Sequence, residues 1–246
     1  MGIGKPIAVQ GDGYIIKGRI YGKADGDQPR PAILFLSGWN PGSQTWTTSD
    51  IHAYYCARKL NITCMTIALR GMGSVGSIKA LTRADFLKDV IAGYDYLVES
   101  KGVDKDRISI VGESFGAYMA CILSTKRAIK SIALRVPTDF PDEGFEDIPQ
   151  EKSAGLLSRE WKKQEHRFTE SRALHGLHNF QGKILLVASE LDEFVPYQTT
   201  KNYLEAVNES AMVEYIMMRA SRHALMNPIK LYNFMKFQSE WLSINI

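Results

Sequence analysis

The sequence predicts an α/β protein in which helices cover both faces of a mostly parallel β-sheet of about eight strands. Short apolar runs typical of buried parallel strands recur along the chain, at residues 32–36, 62–69, 108–111, 132–136 and 184–188. Amphipathic stretches with helical periodicity separate most of these runs, at 52–60, 82–100, 115–125 and 197–207. Because strands that alternate with helices form parallel sheets, this pattern indicates an α/β architecture.

The two ends of the chain complete the predicted sheet. Residues 7–10 and 14–21 flank Gly11-Asp12-Gly13, whose glycines can adopt positive φ, and this pattern is typical of a β-hairpin. A last strand at 213–218 precedes a last helix at 228–244, which begins at a proline, as helices tolerate in their first turn. A chain of 246 residues with 45% hydrophobic composition can form one core, so we expect a single domain over residues 1–246.

One long interval interrupts the alternation of strands and helices. Residues 137–182 lie between two predicted strands, where a single crossover helix needs far fewer. Its first part, 137–151, contains six acidic residues and no basic one. We expect a cap-like excursion after the sixth strand, over the carboxyl edge of the sheet, where ligands bind in open α/β folds. The alternative is a solvated surface segment with no role in binding.

Composition excludes several classes of protein. A formal net charge of +3 is too small to predict a nucleic-acid partner, which needs clustered Lys and Arg. The cysteines at 56, 64 and 121 have no CxxC spacing, which favours reduced thiols over disulfides or a zinc site. No apolar run approaches the roughly 20 residues that span a bilayer. The first residues lack an apolar signal core, so we expect a cytoplasmic protein.

The strongest local signal is the segment Gly112-Glu113-Ser114-Phe115-Gly116, between a predicted strand and a predicted helix. Such a sharp turn holds the serine in strained backbone geometry, and the two glycines relieve the crowding that Cβ atoms would cause. The hydroxyl of Ser114 would then stand out from the sheet edge as a candidate nucleophile. In the alternative interpretation, Ser114 only caps the helix.

This segment resembles the nucleophile turn of the α/β-hydrolase superfamily, whose nucleophile, acid and histidine occur in that order along the chain. After strand 184–188, Asp192-Glu193-Phe194-Val195-Pro196 is similar to the family's Asp-x-x-Val-Pro loop, which implies Asp192 as the acid. Glu190 and Glu193 are close enough to compete. His223 follows the last strand, where the family places its histidine. The resemblance covers nearly the whole chain and implies the α/β-hydrolase fold.

The resemblance also implies a role for each residue. His223 would remove the proton of Ser114, and Asp192 would fix the tautomer of the imidazole. The other four histidines, at 52, 166, 175 and 178, are expected to be surface or packing residues. The backbone N–H groups of Phe115 and Trp39 would bind the oxyanion. The role of Trp39 is implied by the likeness of Ser37-Gly38-Trp39 to the family's His-Gly-x segment. In that segment Gly38 would permit close approach to the substrate.

A second glycine motif offers a competing interpretation. The segment Gly71-Met72-Gly73-Ser74-Val75-Gly76 satisfies the dinucleotide pattern G-x-G-x-x-G. That pattern requires a helix to begin within the glycines and an acid at the end of the next strand. Here the next helix is predicted near residue 82, so we favour a resemblance to the Arg-Gly-x-Gly-x-Ser loop of hydrolases. Metal-binding motifs are not found, and the mechanism needs no cofactor.

The sequence therefore predicts a serine hydrolase that cleaves a small-molecule carboxylic ester or thioester through an acyl-serine intermediate. Trp39, Phe115 and Phe145 are candidates for an apolar acyl pocket. A serine peptidase of the aminopeptidase type remains an alternative, because the acidic part of the excursion can bind a cationic amino terminus. An acyltransferase and a non-catalytic small-molecule-binding protein of the same fold are further alternatives.

Overall fold

The computed structural model describes residues 4–11, 13–22, 28–39, 48–70 and 80–246, with the backbone alone at 156 and 157. Within these ranges the strands are β1 (Lys5–Gln10), β2 (Ile15–Tyr21), β3 (Arg30–Leu36), β4 (Thr63–Ala68), β5 (Val103–Glu113), β6 (Ser131–Arg135), β7 (Lys183–Ser189) and β8 (Met212–Met218). The helices are α1 (Thr48–Leu60), α2 (Arg83–Glu99), α3 (Phe115–Leu123), α4 (Gln150–Ser153), α5 (Leu156–Trp161), α6 (Arg172–Asn179), α7 (Tyr197–Ala206) and α8 (Pro228–Asn245).

The strands form one sheet in the order β1-β2-β4-β3-β5-β6-β7-β8. The first two strands are antiparallel to each other, and β2 is antiparallel to β4, whereas all the other neighbours are parallel. This arrangement confirms the predicted fold class. The opening hairpin is present, and Gly13 has φ of +76°, as a tight turn requires. Asp12 lies outside the described residues.

Helices cover both faces of the sheet, and each face has its own hydrophobic core. On one face α2 and α3 pack over β3 and β5, and α6 packs against α3, with Tyr118, Leu134 and Leu174 in the core. On the other face α1 and α8 pack together over β4 and β6, with Phe35, Val187 and Trp241 in the core. Strands buried on both faces explain why their sequences are continuous apolar runs.

The parallel register aligns the carboxyl ends of the central strands. Leu36 at the end of β3 pairs with Gly112 of β5, and Glu113 at the end of β5 pairs with Arg135 at the end of β6. At the other side of the sheet, Ser189 of β7 pairs with Met218 of β8. The loops that follow these strands therefore leave the sheet at one edge, where α/β folds place their ligands.

The excursion between β6 and β7 is largely packed against the rest of the protein. The guanidinium of Arg83 is buried and donates hydrogen bonds to the main-chain oxygens of Pro141 and Glu143, at 2.5 and 2.6 Å. Arg172 pairs with Asp142 and Glu146, at 3.7 and 3.8 Å. Arg172 thus balances two of the six carboxylates of the acidic stretch.

A buried carboxylate anchors the later part of the excursion. Asp139 accepts hydrogen bonds from the hydroxyl of Ser171 at 2.5 Å and from the indole of Trp161 at 3.0 Å. Burial raises the pKa of Asp139 to about 6.

Among the helices in the described ranges, none combines the length and the apolar character that crossing a bilayer requires.

Candidate active site

Ser114 lies between β5 and α3 in a strained backbone conformation, with φ of +53° and ψ of −113°. A non-glycine residue in this region costs on the order of 1–3 kcal/mol, so the surroundings must hold it. Its N–H donates to the carbonyl of Arg135 at 2.9 Å, and its own carbonyl accepts from Ala117 and Tyr118, each at 3.1 Å. The end of β6 and the first turn of α3 thus fix the serine at the sheet edge.

The two glycines of the turn are required for steric reasons. A Cβ at Gly112 would lie 2.6 Å from Cα of Ala117, and one at Gly116 would lie 2.1 Å from the carbonyl oxygen of Leu36. Both distances are far below van der Waals contact, and both involve backbone that cannot yield. The turn therefore needs glycine at both positions to bring α3 against β3 and β5.

The imidazole of His223 connects Ser114 to Asp192. Its Nε2 lies 3.1 Å from Oγ of Ser114, and its Nδ1 lies 2.9 and 3.0 Å from the two carboxylate oxygens of Asp192. Because an ionised carboxylate only accepts hydrogen bonds, Nδ1 carries the proton of the neutral ring. The lone pair of Nε2 then accepts the hydroxyl hydrogen of Ser114.

Asp192 is oriented by its own loop. Its Oδ1 accepts hydrogen bonds from the backbone N–H groups of Phe194 and Val195, at 2.9 and 2.8 Å. The side chain is 7% exposed and that of His223 is 15% exposed, so water has little access to the contact between them. The carboxylate is therefore held towards the imidazole before any substrate arrives.

The two competing carboxylates have other partners. Glu190 accepts from the N–H of Ala220 and from the guanidinium of Arg219, both at 2.6 Å, and these contacts lower its pKa. Glu193 accepts from the backbone N–H of His223 at 3.1 Å, which lowers its pKa as well. Both acids brace the histidine loop, and of the three only Asp192 contacts the imidazole.

The other predicted site residues near Ser114 come from the loop after β3 and from α3. A Cβ at Gly38 would lie 3.2 Å from Cβ of Ser114 and 3.9 Å from its Oγ. The rings of Trp39 and Phe115 are in edge contact, with centroids 5.5 Å apart, and both also contact Phe86. The structure thus brings Gly38, Trp39 and Phe115 to the nucleophile. Their roles as oxyanion donors and substrate contacts stay predictions.

Phe145 is buried, with 2% of its surface exposed. The guanidinium carbon of Arg172 lies 4.2 Å from its ring centroid and that of Arg83 lies 5.5 Å away. Its carbonyl also accepts from the N–H of Ala84 at 3.1 Å. These contacts fasten the excursion to α2, and a place for Phe145 in a substrate pocket stays a prediction.

Two residues that the sequence analysis did not single out are close to the site. Arg135 is 2% exposed and donates to Glu113 and to the main-chain oxygen of His223, both at 2.6 Å. Phe194 is 64% exposed, and its ring makes edge contact with the imidazole of His223 at 5.3 Å. A charge inside the apolar run 132–136 was a signal that could have identified the arginine.

The remaining predictions concern the other histidines, the second glycine motif and metal binding. His52 contacts Phe35, His166 stacks on Trp161, and His178 stacks on Phe168. The glycine motif at 71–76 lies outside the described residues. In the part of the chain that the structure describes, no group of three or more His, Cys, Asp or Glu could hold a metal ion.

Comparison with known proteins identifies the family. Residues 48–245 match the prolyl oligopeptidase family. The comparison with curated sequences found no match. Acylaminoacyl peptidase from Pyrococcus horikoshii is similar in structure, with TM-score 0.75 and 15% identity, over 100% of this chain and 42% of that chain. Dipeptidyl peptidase 4 from Porphyromonas gingivalis has TM-score 0.71 and 20% identity, over 99% of this chain and 35% of that chain.

A shorter protein has a similar structure over its whole length. Est1E from Butyrivibrio proteoclasticus has TM-score 0.72 and 13% identity, over 98% of each chain. By contrast, the chain spans only 35% and 42% of the two peptidases above. At these identities the likeness to the three structures shows the fold, whereas the family match covers most of the chain. The chain therefore belongs to the prolyl oligopeptidase family of α/β-hydrolase-fold serine hydrolases.

Proposed function

We propose that this protein hydrolyses a carboxylic ester or thioester through an acyl intermediate on Ser114. The observation that carries the proposal is the continuous hydrogen-bonded chain from Ser114 through His223 to Asp192, at 3.1 and 2.9 Å, on a strained turn at the sheet edge. A serine that served only as a helix cap would need neither an imidazole on its Oγ nor a carboxylate behind that imidazole. In fact Ser114 makes no side-chain capping bond to α3.

The first half of the reaction forms the acyl-enzyme. Nε2 of His223 removes the hydroxyl proton while Oγ of Ser114 bonds to the carbonyl carbon of the substrate. The resulting imidazolium is stabilised by Asp192 and gives the same proton to the leaving oxygen or sulfur as its bond to carbon breaks. In the second half, water attacks the acyl carbon under base catalysis by His223, and Ser114 leaves with the proton.

Stabilisation of the oxyanion is assigned to main-chain donors. The N–H of Phe115 lies at the beginning of α3, where the helix dipole favours negative charge. The N–H of Trp39 is the second donor in this proposal, supported by the close approach of Gly38 to Ser114. Loss of one such donor typically costs about 3 kcal/mol of transition-state stabilisation.

Esters and thioesters are the favoured substrates for two reasons. Alkoxide and thiolate groups leave more readily than amines, so they demand less of the general acid. The acidic stretch was the feature that favoured recognition of a cationic amino terminus, but three of its carboxylates are engaged within the protein: Asp139 with Trp161 and Ser171, and both Asp142 and Glu146 with Arg172.

Peptide or aminoacyl amide hydrolysis is the second candidate. It is supported by the match to the prolyl oligopeptidase family and by the structural likeness to two peptidases. Est1E, for which a complex with ferulic acid is known, supports the ester alternative in the same way. Both candidates use the same three residues and differ in the leaving group.

The test compares the wild-type protein with Ser114→Ala and with Ser243→Ala, a control at an exposed serine near the end of α8. A fluorophosphonate should label the wild type and the control but not Ser114→Ala. The values of kcat/KM, each divided by the rate constant for uncatalysed hydrolysis of the same substrate, should be higher for p-nitrophenyl and coenzyme-A esters than for aminoacyl p-nitroanilides. A higher value for the anilides would establish the peptidase instead. A wild type that is neither labelled nor active, yet shifts its melting temperature with ligand, would establish a binding protein.

A further inference from the structure

Arg135 at the end of β6 makes an unusual set of contacts for a charged residue in a strand. Its side chain is almost completely buried, and one terminal nitrogen donates to the carboxylate of Glu113 at 2.6 Å. The other donates to the main-chain oxygen of His223 at 2.6 Å, with longer contacts of 3.3 Å to the hydroxyl of Ser189 and to the carbonyl of Arg222.

These partners belong to the three segments that carry the proposed reacting groups. Glu113 is the residue directly before Ser114 at the end of β5. Ser189 is the last residue of β7, and the loop that follows it contains Asp192. The third partner is His223 itself. One planar cation therefore joins the histidine loop to the ends of the two strands that lead into the nucleophile turn and the acid loop.

The main chain of His223 is held on both sides by charged groups. Its N–H donates to Glu193 at 3.1 Å, and its carbonyl accepts from Arg135 at 2.6 Å. The same loop includes Ala220, a non-glycine residue with φ of +49°, so its shape is not one that the backbone prefers. The contact from Arg135 is thus a direct constraint on the main chain that carries the imidazole.

We propose that Arg135 is a positioning residue for the reaction, which sets the distance between the imidazole of His223 and the hydroxyl of Ser114. This inference rests on the proposed function. Arginine suits the task because its rigid fork presents several donors at once, whereas a lysine ammonium on a flexible stem cannot bridge the same partners. Buried ion pairs add little net stability over apolar packing, so the geometry that the pair imposes is the better reason for its burial.

The test uses Arg135→Met, which removes the charge and the fork, and Arg135→Lys, which keeps the charge alone. In Arg135→Met, Glu113 retains access to water because its side chain is 27% exposed. We expect kcat to fall by about 10- to 100-fold in Arg135→Met, with KM changed less than about threefold, because misplacement of a reacting group by about 1 Å costs on this order. Arg135→Lys should show a similar loss. All rates are divided by the concentration of sites titrated with fluorophosphonate, so that unfolded protein does not count.

Leu97→Ala serves as the control for loss of stability. Leu97 is buried near the end of α2, which leads into the beginning of β5 at the opposite edge of the sheet from Ser114. This variant should lower Tm and leave kcat per titrated site unchanged. If Arg135 had only a structural role, both arginine variants would behave like Leu97→Ala, and that outcome overturns the proposal.

A second pair of variants covers the case in which both arginine variants fail to fold. Glu113→Gln and Ser189→Ala leave Arg135 in place but loosen its orientation, and their combination should lower kcat per titrated site several-fold. An unchanged value in the folded double variant overturns the proposal. An inactive and unlabelled wild type would instead refute the proposed function, so the two failures are distinguishable.

Discussion

Two buried arginines, one on each face of the sheet, hold different parts of this molecule by similar means. Arg83 donates to main-chain oxygens of the excursion and lies among the rings of Phe140 and Phe145. Arg135 donates to the histidine loop and lies 5.7 Å from the ring of Phe234. Arg83 fixes the shape of the excursion, whereas Arg135 fixes the relative position of the nucleophile turn, the acid loop and the histidine loop. We therefore expect loss of Arg83 to affect mainly stability, and loss of Arg135 to affect mainly turnover.

The largest expected effect is the loss of kcat when Asp192, in the acid loop, is replaced. Asp192→Asn should lower kcat by about 10⁴-fold, because an amide can stabilise the wrong tautomer of His223 and cannot stabilise its imidazolium. Steady-state kinetics on a p-nitrophenyl ester measure this loss. Glu190→Gln, which changes an acid that does not touch the imidazole, is the matched control and should lose far less. Equal losses in both variants would show that Asp192 has no special role.

The next effect separates the two arginines directly. Arg83→Met removes the charged donor from the partly buried carbonyls of Pro141 and Glu143, and a hydrogen bond to a charged group contributes about 1.5–3 kcal/mol. Urea unfolding should therefore show a lower free energy of unfolding, and limited proteolysis should cut first within residues 137–182. Turnover per titrated site should fall much less than in Arg135→Met. A larger loss of kcat in Arg83→Met would reverse the assignment.

A smaller effect, on stability alone, is expected at His52, which lies close enough to Arg135 to sense its charge. Burial and the charge of Arg135 lower the pKa of His52 from 6.5 to about 3. Between these values the unfolded chain binds a proton that the folded protein does not, so the free energy of unfolding falls as pH falls. His52→Phe should remove up to about 1.4 kcal/mol of this loss per pH unit between pH 6 and pH 4.

Urea unfolding at several pH values, compared between His52→Phe and the wild type, measures this contribution. The raised pKa of Asp139 acts in the opposite direction, because the folded protein binds that proton more tightly than the unfolded chain. Because Asp139 is present in both proteins, its contribution to the pH dependence of stability cancels in the comparison. Parallel stability curves for the two proteins would contradict a neutral, buried His52.

The smallest expected effect is at Gly38, beside the nucleophile. A methyl group there would lie 3.2 Å from Cβ of Ser114, so a shift of a few tenths of an ångström would relieve the contact. Gly38→Ala should lower kcat several-fold by displacing the Trp39 N–H, with little change in Tm, since positioning errors affect rate more than stability. A labelling rate equal to that of the wild type would show that this loop does not take part.

The fold was predictable because the relevant signals are local. Apolar runs between turn residues mark the central strands, and the motif around Ser114 marks where one of them ends. Parallel strands expose their carboxyl ends at one edge, so the loops with Asp192 and His223 were expected beside it. The partners of Glu190 and Glu193 were not predictable, because they depend on how the two loops cross in space.

The contacts of the two arginines escaped prediction for a related reason. Arg83 meets its partners 58 and 60 residues away, and Arg135 meets His223 88 residues away. No pattern of neighbouring residues indicates such pairings. Binding of a cationic amino terminus by the acidic stretch was accordingly one alternative from the sequence, whereas Arg172 already balances part of the stretch.

At position 114 the residue that best suits the left-handed backbone conformation is not the residue that the reaction needs. Glycine adopts such a conformation without a steric penalty, so Ser114→Gly should unfold at a higher temperature than the wild type while having no nucleophile. A library screened only for heat resistance would therefore enrich inactive molecules at this position. Selection that retains the serine must act on the reaction, and thermostable variants of this protein are best sought elsewhere in the chain.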